Sequence, residues 1–263
     1  MTRAKVPPPP YPSPHGLLAG KTVLVTAAAG TGIGFATARR CAEEGARVML
    51  SDLHERRLGE SAAELAKITG QKPPTQLCDV TNEAQVQALV KAAIAELGHL
   101  DVLVNNAGLG GHAPIVETTD EQWLKILDVT LNGTFRMTRA VLPHMLARKR
   151  GAIVNNASVL AWRAQAGQAA YAAAKAGVMA LTRCAAMEAA AAGVRVNAVS
   201  PSLATHPFLS KVMPQDLLDE LERGEAFGRG AEPWEVANTI VFLASDYAGY
   251  MTGEVLSVSS QHP

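Results

Sequence analysis

"KTVLVTAAAGTGIGFATARRCAEEGARVMLSD", residues 21–52, is the stretch whose reading decides the fold. Its opening, "KTVLVTA", is apolar and β-branched without polar alternation, the pattern of a strand covered on both faces. Gly30, Gly32 and Gly34 follow, and residues 33–45 carry a helical pattern that closes on Gly45, a suitable C-terminal cap. "ARVMLSD" is a second apolar strand and ends on Asp52. Strand, glycine turn, helix and strand in this order form the unit from which parallel sheets are built. The spacing does not fit G-x-G-x-x-G, because Phe35 stands where the last glycine should be. Nucleotide binding therefore has to be decided by the rest of the chain.

The alternation continues downstream. "HERRLGESAAELAKITG" (54–70) reads as a helix, "PTQLCDVT" (74–81) as a third strand, and residues 82–97 as a helix entered through Thr81. "LDVLVNNAG" (100–108) is a fourth strand, followed by a long helix over about 120–147. "GAIVNNAS" (151–158), a helix over about 168–192, "GVRVNAVSP" (193–201) and "EVLSVS" (254–259) complete the series. Such a pattern predicts one doubly wound parallel sheet with helices on both faces, spanning residues 17–263.

The 263 residues are 48% hydrophobic and 18% charged, with 24 basic against 24 acidic side chains. That balance argues against an electrostatic nucleic-acid or membrane surface. Cys41, Cys78 and Cys184 have no metal-ligand spacing, so no metal site is expected, and a reduced cytoplasmic setting is the simplest reading. The N-terminal residues 1–16, rich in proline, predict an extended arm, disordered or laid on a neighbour, with a loose tail favoured.

In doubly wound sheets the ligand lies beyond the carboxyl ends of the strands. Those ends carry the glycine turn, Asp52, Asp79, Asn105 and Asn106, Ser158, and Pro201 with Ser202. Tyr171 and Lys175 are four apart on a helix and so share a face. An ammonium near a phenol favours the phenolate, and a tyrosine so tuned can exchange a proton with an alcohol or ketone. Ser158 can hydrogen-bond the same substrate oxygen. Asp52, 18 residues past Gly34, is placed to accept the ribose hydroxyls of NAD and to repel a 2′-phosphate, although Arg56 and Arg57 lie near.

"NNAG" at 105–108, the Ser158-to-Tyr171 interval, "YAAAK" at 171–175, "VRVNAVSP" at 194–201 and "PWEVANTIVFLASDYAGYMTG" at 233–253 occur in that order. With these motifs the chain resembles the short-chain dehydrogenase/reductase family over about residues 17–256. The resemblance implies NAD(P)-dependent hydride transfer, with Tyr171 as acid/base, Lys175 lowering its pKa and holding the nicotinamide ribose, and Ser158 polarising the carbonyl. It further implies cofactor contacts at Gly30, Gly32, Ile33, Gly34, Asp79, Val80, Asn106 and Ala204, and a homotetramer.

Against the family's turn, T-G-x-x-x-G-x-G, the stretch from Thr26 to Gly34 holds one residue more, with Ala27 at the first glycine position. Gly30 is expected to absorb the insertion with a positive φ. "VTLNGTF" puts Thr130 where the family has an asparagine, and Asn132, about 200° further round a helix, should face elsewhere. His206 replaces a usual threonine.

Trp162, Arg163, Gln165 and Gln168 border the substrate side in "VLAWRAQAGQAA". Residues 206–230 are expected to form a helical lid with Leu209, Val212, Met213, Leu217 and Leu218 on its inner face. "TAAAGTGIG", "NNASVLAWRAQ" and the terminal "QHP" also look like a subgroup of bacterial sterol-ring breakdown that acts on a hydroxyl of a hydrindane acyl-CoA. The expected activity is NAD-linked interconversion of a secondary alcohol and a ketone on a bulky apolar substrate, with a steroid-derived hydroxyacyl-CoA as the candidate. An NADPH-dependent 3-oxoacyl-thioester reductase and a non-catalytic dinucleotide-binding regulator are the alternatives.

Overall fold

Seven parallel strands lie in the order β3-β2-β1-β4-β5-β6-β7 in a computed structural model that describes residues 5–206, 209 and 215–261. They are β1 (Thr22–Val25), β2 (Arg47–Asp52), β3 (Thr75–Leu77), β4 (Val102–Asn105), β5 (Gly151–Asn156), β6 (Val194–Pro201) and β7 (Val255–Val258). Among the described residues the α-helices are α1 (Ile33–Glu43), α2 (Glu55–Thr69), α3 (Glu83–Leu97), α4 (Asp120–Leu127), α5 (Gly133–Arg148), α6 (Ala169–Ala189), α7 (Gln215–Gly224) and α8 (Pro233–Ala244).

Strand alternation sorts the core into two layers. Val23 and Val25 of β1, Val102 and Val104 of β4, and Val154 of β5 pack with α1, α2 and α8. Leu24, Leu103 and Ile153, between them in sequence, pack with α3, α5 and α6. The order reverses between β1 and β4, so the loops after these strands open a crevice at the carboxyl edge.

Local structure departs from the expected elements at three places. β3 stops at Leu77, because the Asp79 carboxylate takes the Thr81 N–H at 2.9 Å and its hydroxyl at 2.7 Å and turns the chain. Helix α3 is consequently capped by Asn82, which accepts from the Gln85 N–H at 3.2 Å, and not by Thr81. The long helix over 120–147 is two helices joined by a π-helical turn, Asp128–Asn132. Among the described residues no helix is long and apolar enough to cross a membrane, and no group of three or more His, Cys, Asp or Glu could hold a metal. Val212 and Met213 of the expected lid lie outside the described residues; Leu218 is buried in α7 and Leu217 half-buried.

The arm corrects the expectation of a loose tail. Residues 5–16 lie along their own chain, held by polar contacts that the proline content did not disclose. The Tyr11 hydroxyl donates to Glu43 at 2.6 Å, its ring meets Trp234 edge-on at 5.3 Å, and the Arg39 and Arg40 guanidinium groups sit 5.1 and 5.2 Å from its centroid. Burial and the Glu43 carboxylate push the Tyr11 phenol up to about 12. Glu44, wholly buried, accepts the His15 and Leu17 N–H groups at 2.9 and 3.0 Å and pairs with Arg40 at 2.6 Å. Further out, Lys5 pairs with Glu222 of α7, and the Val6 backbone bonds to Phe227 and Arg229.

Tyr11→Ala is expected to lower unfolding stability by ~2 kcal/mol and Tyr11→Phe by about 1 kcal/mol in urea titrations. An unchanged midpoint for Tyr11→Ala would mean that the arm is not docked.

Candidate active site

The glycine turn is shaped for an anion. Helix α1 begins at Ile33 with Gly32 as an N-cap that supplies no side-chain cap, and its first turn has no acidic residue. By contrast α2, α3 and α4 carry Glu55, Glu83 and Asp120 there. The first N–H groups of α1 therefore remain for a ligand, and the helix dipole favours a negative one. Gly30 takes φ +91°, as expected, and a Cβ there would meet open space. Ala27 also takes a positive φ, +47°, so the added residue is absorbed at two bends, one of them an alanine.

Asp52 at the end of β2 faces this turn. It accepts from the Ala29 N–H at 3.0 Å and the His54 N–H at 3.0 Å. Burial raises its pKa, opposed by the Ala29 N–H and by Arg57 nearby. Arg56 is turned away to Glu60 at 2.6 Å. The uncapped helix, the open face at Gly30 and the Asp52 carboxylate beside the turn fit a nicotinamide dinucleotide. Val80, with Asp79 beyond β3, is buried against Gly133. Asn106 spends both ends of its amide within the protein, on the Ala27 carbonyl at 3.0 Å and on Asn156 at 2.9 Å. It shapes the turn with one of its two amide N–H groups. Ala204 lies in a bridge to Ala231 whose hydrogen bonds are made by its neighbours Leu203 and Thr205.

Ser158, Tyr171 and Lys175 come together where β5 ends and α6 begins. Lys175 is 3% exposed, and its ammonium donates to the Asn156 carbonyl and lies 5.6 Å from the Tyr171 ring centroid. Burial pushes Lys175 down to about 8. The Tyr171 phenol is pushed up by burial, with the Ser158 hydroxyl acting the other way. In the chain without ligand, burial acts on both groups in the direction that disfavours charge.

Gly108 lies beside this lysine, where a Cβ would stand at ordinary contact distance, 3.5 Å from the ammonium and 3.8 Å from the Thr130 hydroxyl. Thr130, fully buried in the π-helical turn, accepts from the Leu109 N–H at 3.0 Å and donates to the Leu109 carbonyl at 3.2 Å. Its hydroxyl is committed to the loop after β4. Asn132 is exposed and donates to Asp128 at 3.0 Å. The sequence reading passed over Asn156; the signal was the repeated "NN" at 105–106 and 155–156, at the ends of adjacent strands.

A cavity of about 160 Å³ has Leu109, Ile126 and Ala170 among its lining, residues of the cluster that Tyr171 packs against, and His112, Gln122 and Lys125 as polar groups. Trp162, Arg163, Gln165 and Gln168 do not line it. Trp162 is exposed, and Arg163 donates to Gln261 at the C-terminal end while its Nε and Nη2 find no partner among the described residues. His206 lies against Gly32, with its Nδ1 buried and unpartnered among the described residues, and burial lowers its pKa.

A family model described as Enoyl-(Acyl carrier protein) reductase matches residues 27–260. The chain is 64% identical over 250 residues to the Mycobacterium tuberculosis (5R,7aS)-5-hydroxy-7a-methyl-1-oxo-2,3,5,6,7,7a-hexahydro-1H-indene-carboxyl-CoA reductase, covering 95% of both chains. It is 42% identical to a cis-4-hydroxycyclohexanecarboxylate dehydrogenase of Sinomonas cyclohexanicum, over 90% of this chain and 94% of that one. Among solved structures, a short chain dehydrogenase from Mycobacterium smegmatis superposes with a TM-score of 0.85 at 54% identity, covering 100% of this chain and 99% of the other.

The Lys175 shift has a consequence for stability. Its folded pKa of about 8 lies below the ordinary 10.5, so between these values the unfolded chain binds the extra proton. Stability should rise with pH across that window, and the whole cost is present below it. Lys175→Met is expected to flatten this rise and to gain ~2 kcal/mol at neutral pH in urea unfolding; an unchanged slope contradicts it. Gly34→Ala, whose Cβ would lie 2.1 Å from the Ala27 carbonyl oxygen, should cost roughly 3 kcal/mol in the same assay.

Proposed function

Because the chain belongs to the short-chain dehydrogenase/reductase family, we propose that it interconverts the secondary alcohol and ketone of a bulky alicyclic CoA thioester, with Tyr171 as acid/base. The observation that carries this reading is the meeting of Ser158, Tyr171 and buried Lys175 beside the uncapped, glycine-lined start of α1. When bound, the nicotinamide nucleotide supplies the hydride acceptor or donor.

The chain's own residues handle the proton. The Tyr171 phenol oxygen takes it from the alcohol or returns it to the ketone oxygen, and Ser158 hydrogen-bonds that same oxygen. The lysine acts through charge: any stabilisation of its protonated form on ligand binding favours the phenolate beside it. Water exclusion comes from the apolar packing of Ile126, Ala170 and Ala174 around the tyrosine.

The substrate class is supported by the hydrindane carboxyl-CoA activity named for the 64% identical relative and by the cyclohexane ring alcohol named for the other. NAD is favoured over NADP by Asp52, whose carboxylate stands where a 2′-phosphate would be repelled, with Arg56 drawn off to Glu60. Exposed Phe135 on α5 and Met187 on α6 support assembly as a homotetramer through that helix pair, which light scattering tests.

Purified protein should form NADH with a hydroxyhydrindane carboxyl-CoA and little with straight-chain hydroxyacyl-CoA thioesters. Tyr171→Phe should lower kcat ~1000-fold while leaving NADH binding intact. Asp52→Ala should narrow the NAD-over-NADP preference in kcat/KM by about 10-fold. Equal turnover of Tyr171→Phe and the unaltered chain would remove the tyrosine from the reaction.

A further inference from the structure

Two asparagine pairs stand at the ends of adjacent strands, with Asn105 opposite Asn155 in register and Asn106 and Asn156 one residue further on. Alternation sends the pairs to opposite faces of the sheet. Asn105 donates to Asn155 at 2.9 Å and to Thr138 at 3.1 Å, and Asn155 donates to Thr182 at 2.9 Å. That pair ties the sheet to α5 and α6.

The outer pair makes a different connection. The Asn156 side-chain amide donates to Asn106 Oδ1 at 2.9 Å, and the Asn106 amide donates to the Ala27 carbonyl at 3.0 Å. The Asn156 backbone carbonyl, on the other side, accepts from the Lys175 ammonium. An unbroken line of groups therefore runs from the lysine to the first bend of the glycine turn, where Ala27 holds φ +47°. Asn156 Oδ1 is buried and has no partner among the described residues. An aliphatic side chain would leave no such unmet acceptor, so what the amide brings to this position is the bond it donates.

We infer that Asn156 is a positioning residue that couples Lys175 to the cofactor turn. Its side chain steadies the Ala27 bend through Asn106, and its backbone holds the ammonium that tunes Tyr171. Loss of the amide loosens the turn and the strand end together. This inference rests on reading Tyr171 and Lys175 as the acid–base pair.

The test is a double-mutant cycle on Asn156→Val and Asn106→Ala, read first by NADH affinity in fluorescence titration and by urea unfolding of the ligand-free protein. Each single variant should raise the Kd for NADH about 5-fold. The double variant should match the weaker-binding single, because either change removes the same bond. The kcat–pH profile of Asn156→Val should move its acid limb upward by about half a unit or more, a change that a purely structural role would not produce. Asn156→Gln, which can still donate, should recover part of both effects. Asn156→Asp, of the same shape but without the donor, serves if the valine variant does not fold.

Multiplicative effects, with the double variant weakened ~25-fold, would overturn the coupling, as would a loss of stability with Kd and pH profile unmoved. Tyr171→Phe run alongside separates the two readings. If it still turns substrate over, the acid–base assignment fails, while the affinity cycle continues to decide the coupling.

Discussion

A Cβ on residue 34 would lie 2.1 Å from the Ala27 carbonyl oxygen and 2.5 Å from the Asn106 amide, and this close approach sets the geometry of everything around it. Because Gly34 has no side chain, α1 starts directly over the end of β1. Its free N–H groups then face the crevice at the switch in strand order. The same approach leaves the Ala27 carbonyl within reach of Asn106, and the Ala29 N–H within reach of Asp52. The bend at Ala27 and the Asn106 bond to its carbonyl both depend on the space left by one missing methyl group.

The chain holds buried ionisable groups in two contrasting ways. Arg40 and Glu44 are almost wholly covered, but each is matched, the glutamate by two backbone N–H groups as well as the guanidinium. That arrangement offsets desolvation and locks α1 to the arm. Lys175 is equally covered and has one carbonyl for company, and burial lowers its pKa. Matched charge makes a joint; under-matched charge makes a group whose protonation responds to what binds beside it.

Most of the sheet was legible because its strands are apolar runs bounded by glycine and polar turns, and because strand ends must lie along one rim. That Tyr171 and Lys175 share a helix face was legible from their spacing, whereas the roles given to them came from the family motifs; Gly30 was legible from the need for a bend. The positive φ at Ala27 was not, since an alanine carries no mark of strain in sequence. The π-helical turn at Asp128–Asn132 was hidden for a similar reason: its residues are compatible with a continuous helix, and tertiary packing around Thr130 decides the matter. The phenol's upward shift was missed because spacing reports proximity, whereas burial reports solvation. Proline content suggested an extended arm but could not say that Tyr11 finds two arginines and a tryptophan.

The docked arm also bears on how the chain reaches its final form. Lys5 bonds to a partner 217 positions away, and Val6 to one 223 positions away. Contacts of such separation close loops nearly as long as the molecule, and they form only after the intervening sheet exists to hold both ends. During synthesis the arm is made before any of its partners. Tyr11 and His15 can meet Glu43 and Glu44 early, whereas Lys5 and Val6 wait until α7 and the segment behind it are complete.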